Sequence, residues 1–112
     1  MRNMSLVKIT IENLGQKEVG VPSPGISALS CFQSARVDWM HSCGGKGRCT
    51  TCKMIVIEGQ DQLSLESPAE LMYERQGQLK SNERLACQAK VWGNIRVRVP
   101  GGSKLPHLKY TD

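Results

Sequence analysis

Residues His41 to Cys52 read H-S-C-G-G-K-G-R-C-T-T-C, which puts Cys43, Cys49 and Cys52 into one short stretch rich in glycine. A fourth cysteine, Cys87, lies far downstream in Arg84-Leu85-Ala86-Cys87-Gln88, and the whole pattern is C-x5-C-x2-C-x34-C. So little side-chain bulk builds no hydrophobic core. Four thiolates converging on one point repel one another and need positive charge between them, for which zinc and an iron–sulfur cluster are the candidates. Structural zinc sites bring together two close pairs of ligands, each chelating from a tight turn. Only one C-x2-C is present here, with a third cysteine upstream and a solitary distant one. Three ligands from a wrapping loop and one from a remote element fit a [2Fe-2S] centre instead.

Cys43-Gly44-Gly45-Lys46-Gly47-Arg48-Cys49-Thr50-Thr51-Cys52, taken with Arg84-Leu85-Ala86-Cys87-Gln88, resembles the [2Fe-2S] ferredoxins. Five residues between the first two cysteines, where the plant photosynthetic pattern has four, resemble the adrenodoxin-like and related bacterial branch. The resemblance runs from about Leu6 to Pro100. It implies a β-grasp fold and a [2Fe-2S] cofactor held by Cys43, Cys49, Cys52 and Cys87. It further implies that Cys43 and Cys49 share one iron, and Cys52 and Cys87 the other. The activity it implies is one-electron transfer between a ferredoxin reductase and an acceptor such as an oxygenase, with no substrate transformed and hence no enzyme activity of its own.

The residues between the ligands have chemistry of their own. Gly44, Gly45 and Gly47 let the backbone curl closely and aim N–H groups at cluster sulfurs, which favours the added electron, or they only permit tight turns. Lys46, Arg48 and Arg84 either raise the reduction potential, face a partner, or are simply solvated. Thr50 and Thr51 offer hydroxyl donors, although β-branched residues also suit an extended segment. His41 is expected to pack or hydrogen-bond in the loop. Rieske ligation needs two histidines with two cysteines, and the other histidine, His107, is in the tail. Cys31 falls in a predicted helix and reads as a small buried hydrophobe.

The elements that must position these groups follow from periodicity. Leu6 to Glu12 alternates as a half-buried strand, and Val19 and Val21 continue the pattern across Asn13-Leu14-Gly15-Gln16, predicting a hairpin that Pro22-Ser23-Pro24-Gly25 ends. Ser27 caps a main helix with Ala28, Leu29, Phe32 and Ala35 on one side, ending near Arg36. Lys53 to Glu58 reads as a central strand. Ser67-Pro68-Ala69-Glu70 is a capping box with proline at the first helical position, opening a second short helix to about Gln76, with Gly77 ending it. Leu85 to Val91 and Ile95 to Val99 complete the strands, turning at Trp92-Gly93-Asn94. The result is an α+β fold with a mixed sheet over one main helix. Its core spans about residues 6–100 of a single domain covering 1–112, and 101–112 reads as a loosely held tail.

At 112 residues the chain has room for one modest core, and with two Trp, two Tyr and one Phe that core must rest on aliphatic side chains. No amino-terminal apolar signal core is visible and no run approaches a membrane span, so a monomeric, soluble protein of a reducing cytoplasm is expected. The net charge of +5 counts neutral cysteines; a cluster on four thiolates brings it to about +3 oxidised and about +2 reduced. That mild balance gives nucleic-acid binding little support, and Lys90, Arg96 and Arg98 lack interleaved aromatic residues. Asp61, Glu66, Glu70 and Glu74 are fewer than the dense acidic helix of the adrenodoxin-like branch, and an exposed helix face with favourable amino-terminal carboxylates reads equally well. The rival to a carrier is a redox-sensing or structural metal-binding module that controls a partner protein.

Overall fold

A computed structural model describes residues 7–39 and 52–111. Leu6, the start of the first predicted strand, lies outside them. Strand β1, Lys8–Ile11, turns back into β2, Lys17–Gly20, with Ile9 opposite Val19 in an antiparallel register. A two-residue strand β3, Ile26–Ser27, precedes helix α1, Ala28–Ser34. Strand β4 is Lys53–Glu58, helix α2 is Pro68–Arg75, and strands β5, β6 and β7 are Glu83–Leu85, Lys90–Val91 and Ile95–Arg98. The main sheet runs in the order β2-β1-β7-β4-β5, with β1 and β7 parallel and the other neighbours antiparallel. A small second sheet pairs β3 with β6. This is the expected α+β β-grasp.

Helix α1 forms where the sequence places it. The Ser27 side chain accepts from the Ser30 N–H at 3.2 Å, and Ala28, Leu29, Cys31 and Phe32 turn inward. They join Ile9, Ile11, Val19, Met54, Leu85, Val91 and Val97 in one core. The helix ends in a left-handed residue, Arg36 at φ 59°, which lets the Val37 N–H reach the Phe32 carbonyl at 2.8 Å. Glycine is the usual choice there, and an L side chain in that conformation costs about 1–2 kcal/mol. Helix α2 carries the full capping box: Ser67 accepts from the Glu70 N–H, and Glu70 accepts from the Ser67 N–H.

Two expectations are corrected. Leu85 to Val91 is not one strand: the Leu85 carbonyl accepts from both the Gln88 and Ala89 N–H groups at 2.9 Å, so Cys87 sits on a turn between β5 and β6. The alternation of Leu85, Cys87, Ala89 and Val91 imitated a strand, but Ala86 is buried as fully as Leu85. The tail is not loose either. The Thr111 N–H donates to the Asn13 carbonyl at 2.9 Å, the Leu105 N–H to the Tyr110 hydroxyl at 3.0 Å, and His107 meets Asp38 at 2.7 Å. Buried Asn13 in turn bonds both the N–H and the carbonyl of Val99 at 2.8 and 2.9 Å.

Candidate metal centre

Two of the four predicted ligands are described, and Cys43 and Cys49 lie outside the described residues, as do His41, Gly44, Gly45, Lys46, Gly47, Arg48, Thr50 and Thr51. Cys52 is fully buried immediately before β4, and Cys87 is half-buried. Antiparallel pairing of β4 with β5 sets Lys53 opposite Leu85, and the ladder extends one step further through the Ala86 N–H to the Cys52 carbonyl at 3.2 Å. The register therefore brings the Cys87 turn alongside Cys52, although 34 residues separate them in the C-x2-C-x34-C pattern.

Both positions are held by bonds from elements distant in sequence. The Cys52 carbonyl also accepts from the Trp39 indole N–H at 2.9 Å, and Trp39 stacks on Phe32 of α1 with ring centroids 4.2 Å apart. The first turn of α1 has backbone donors with no partner inside the helix. Two of them close on the Cys87 turn, Leu29 N–H onto the Ala86 carbonyl and Ala28 N–H onto the Ala89 carbonyl, each at 2.9 Å. Gln88 Nε2 lies 3.6 Å from Cys87 Sγ, a donor whose bond to a ligand sulfur would favour its more negative state.

The third anchor is a buried ion pair. Arg84 Nε and a terminal guanidinium nitrogen donate to the two carboxylate oxygens of Glu70 at 2.7 and 3.0 Å, and the Leu85 N–H donates to Glu70 at 2.9 Å. With the Ser67 N–H, the carboxylate accepts four bonds. Glu70 is 0% and Arg84 3% exposed. Arg84 is thus neither solvated nor free to face a partner, and Glu70 is not on an exposed helix face. Leu71 and Met72 are exposed on α2 instead. A capping-box glutamate is aimed back at the chain, which was the sequence signal for this inward turn; nothing local marked Arg84 as its mate.

Cys31 lies wholly inside α1, where burial pushes its thiol up to about 11, the behaviour of an inert packing residue. Arg96 and Arg98 are matched by carboxylates, Arg98 with Glu12 at 2.7 Å and Arg96 with Glu58 at 3.0 Å. Trp39 and Gln88 are contributors that sequence reading did not identify.

The chemistry of the two described cysteines suits iron: a buried one and a half-buried one, carried on backbone segments that the sheet register sets alongside each other, with one amide donor near the Cys87 sulfur. The model of the 2Fe-2S iron-sulfur cluster binding domain family matches residues 11–91. The chain belongs to this family. The ferredoxin domain therefore has a [2Fe-2S] cluster as its cofactor. It is 32% identical over 90 residues to 2Fe-2S ferredoxin-5 of Aquifex aeolicus, covering 77% of this chain and 88% of that one. It is 33% identical over 92 residues to a component of the Na(+)-translocating NADH-quinone reductase of Pseudomonas aeruginosa, covering 82% of this chain but only 22% of that component. The fold superimposes on an ISC-like [2Fe-2S] ferredoxin from Pseudomonas putida with a TM-score of 0.71 and 25% identity, covering 91% of this chain and 98% of the other. Among the described residues no helix is long and apolar enough to cross a membrane.

Proposed function

We propose that this ferredoxin domain, a single unit over residues 1–112, carries one electron at a time from a reductase to an acceptor oxidoreductase such as an oxygenase. Cys43, Cys49, Cys52 and Cys87 hold the cluster, which when bound supplies a one-electron couple. The observation that carries this reading is the clamped pairing of the Cys52 and Cys87 backbones: the Ala86 N–H, the Trp39 indole and the first turn of α1 all fix that pair. Ligands held so firmly change little between oxidation states, and small rearrangement is what rapid electron exchange requires. The sheet and α1 exclude water from Cys52, while the half-buried Cys87 leaves a side from which a partner can approach.

The chain's own groups have distinct tasks here. Gln88 directs a donor at Cys87 Sγ, and Glu70 holds the Leu85 N–H two residues before that ligand. Transient interfaces suit such traffic, because encounter and release must both be quick. A reconstituted chain of NADH, a ferredoxin reductase, this protein and an acceptor tests the reading. Many acceptor turnovers per molecule of protein are expected. A single turnover, with a redox-dependent change in partner affinity, would instead identify a sensor.

A further inference from the structure

The described cations differ in their surroundings; Arg75, Lys80 and Lys90 are exposed, make no ion pair among the described residues and line no cavity with another cation. Lys8, Lys53, Arg84, Arg96 and Arg98 lie within ion-pair distance of carboxylates. Lys17, Arg36 and Lys109 are exposed and make no ion pair among the described residues, and all three line one cavity of about 310 Å3. Leu14, Val37 and Leu108 line the same cavity. Asp38 is the carboxylate at its edge among the described residues, and His107 engages it at 2.7 Å. Asp61 and Glu66, which make no ion pair among the described residues, line a separate cavity and do not offset these charges.

Three observations indicate what this surface meets. First, its cations come from three elements, the start of β2, the end of α1 and the tail, so they surround an apolar floor instead of converging on one point. Among the described residues no buried polar side chain lines the cavity to grip a small anion. Secondly, Arg36 occupies a left-handed position at the end of α1 where glycine would sit without strain. A long cation kept in a strained conformation points to a role outside the fold. Thirdly, Val37 and Asp38 lead directly into Trp39, whose indole holds the Cys52 carbonyl, so an occupant would sit beside the segment that braces a proposed ligand.

We propose that the Lys17, Arg36 and Lys109 surface docks an acidic protein redox partner, its carboxylates meeting the three cations and its apolar side chains the floor. This deepens the carrier reading and rests on it. Complementary charge here would steer encounter and set the association rate, with an effect that salt screens.

Acidic cytochrome b5 serves as the probe. The protein with its cluster is reduced with dithionite, desalted, and mixed with ferric cytochrome in a stopped-flow instrument; one electron leaves the reduced protein and converts ferric haem to ferrous. The second-order rate constant should fall as salt rises. The variant K17Q/R36Q/K109Q should lose about tenfold at low ionic strength. R75Q/K80Q/K90Q, an equal charge change at exposed cations outside this cavity, should lose less than about twofold. Equal losses in both variants would show that net charge alone acts and would overturn the proposal, as would no loss in the first. In parallel, adding the cytochrome should shift the amide resonances of Leu14, Val37 and Leu108. Citrate producing the same shifts at equal carboxylate concentration would mark an ion site and also overturn it. If no electrons pass but the shifts appear and vanish in K17Q/R36Q/K109Q, the docking surface stands and the carrier reading falls.

Discussion

Replacing Glu70 by glutamine changes almost no volume but alters the most heavily bonded buried group near the proposed ligands. The carboxylate accepts from the Ser67 N–H, twice from Arg84 and from the Leu85 N–H, all between 2.7 and 3.0 Å. In the amide, one oxygen becomes a donor facing donors, and the Arg84 guanidinium, 3% exposed, loses its counter-charge. Breaking one partner of a buried pair costs about 3–5 kcal/mol. For a chain of this size that is roughly 12–20 °C in melting temperature, taking about 4 °C per kcal/mol. E70L/R84M removes both charges and should recover part of that loss. It still leaves the Ser67 and Leu85 N–H groups without their acceptor, at about 1–3 kcal/mol for each donor that water does not reach. The assay is anaerobic thermal unfolding followed by circular dichroism, with loss of visible absorbance recorded on the same samples. Because the Leu85 N–H is tied to Glu70, colour should fade faster in E70Q than in the parent. An E70Q melting point within about 4 °C of the parent, near 1 kcal/mol, would refute the reasoning. So would a double variant as unstable as the sum of the two single ones.

Three further outcomes follow from the same structure. Trp39→Phe keeps the stack on Phe32 but removes the indole donor to the Cys52 carbonyl; the Ala86 N–H still serves that oxygen, so urea unfolding should show a loss of about 1 kcal/mol. Cys31→Ala should leave iron and sulfide content unchanged, and in the folded parent Cys31 should resist iodoacetamide at pH 8 by mass spectrometry, because burial pushes its thiol up to about 11. Burial, and then the neighbouring Glu74 carboxylate, hold Glu66 above the usual carboxylate range. A carboxyl with a raised folded-state pKa loses stabilisation as pH rises through that value. Glu66→Gln should therefore raise the melting temperature at pH 7 and leave it unchanged at pH 3.5.

The sequence made the local elements legible where one residue type dictates geometry. Ser27 and the Ser67-to-Glu70 box mark both helix starts, alternation in Lys8 to Ile11 marks one strand, and the run apolar on both faces in Lys53 to Glu58, stopped by Gly59, marks another, because caps and short apolar patterns act over a few residues. The thiolate spacing was equally informative, since metal ligation demands residue types that little else explains. What sequence did not show depends on partners distant in the chain. Nothing local marked Arg84 as the mate of the inward-turned Glu70, and the Cys87 segment became a turn because α1 and Leu85 satisfy its backbone. The tail is ordered by Asn13 and Asp38, whose bonds to it span most of the chain. Trp39 gave no local sign that its indole would hold Cys52, for the same reason.

The central claim is that Cys43, Cys49, Cys52 and Cys87, and not Cys31, hold a one-electron [2Fe-2S] centre. Electron paramagnetic resonance of the dithionite-reduced protein, integrated against its iron content, tests it most directly across the five single Cys→Ser variants. The account predicts about one unpaired spin per two irons in the parent and in Cys31→Ser, since one electron enters a pair of ferric ions. It predicts loss or marked alteration of that signal in each of the other four variants. A colourless parent containing zinc, or a signal that survives unchanged without Cys52 or Cys87 and disappears without Cys31, would contradict it.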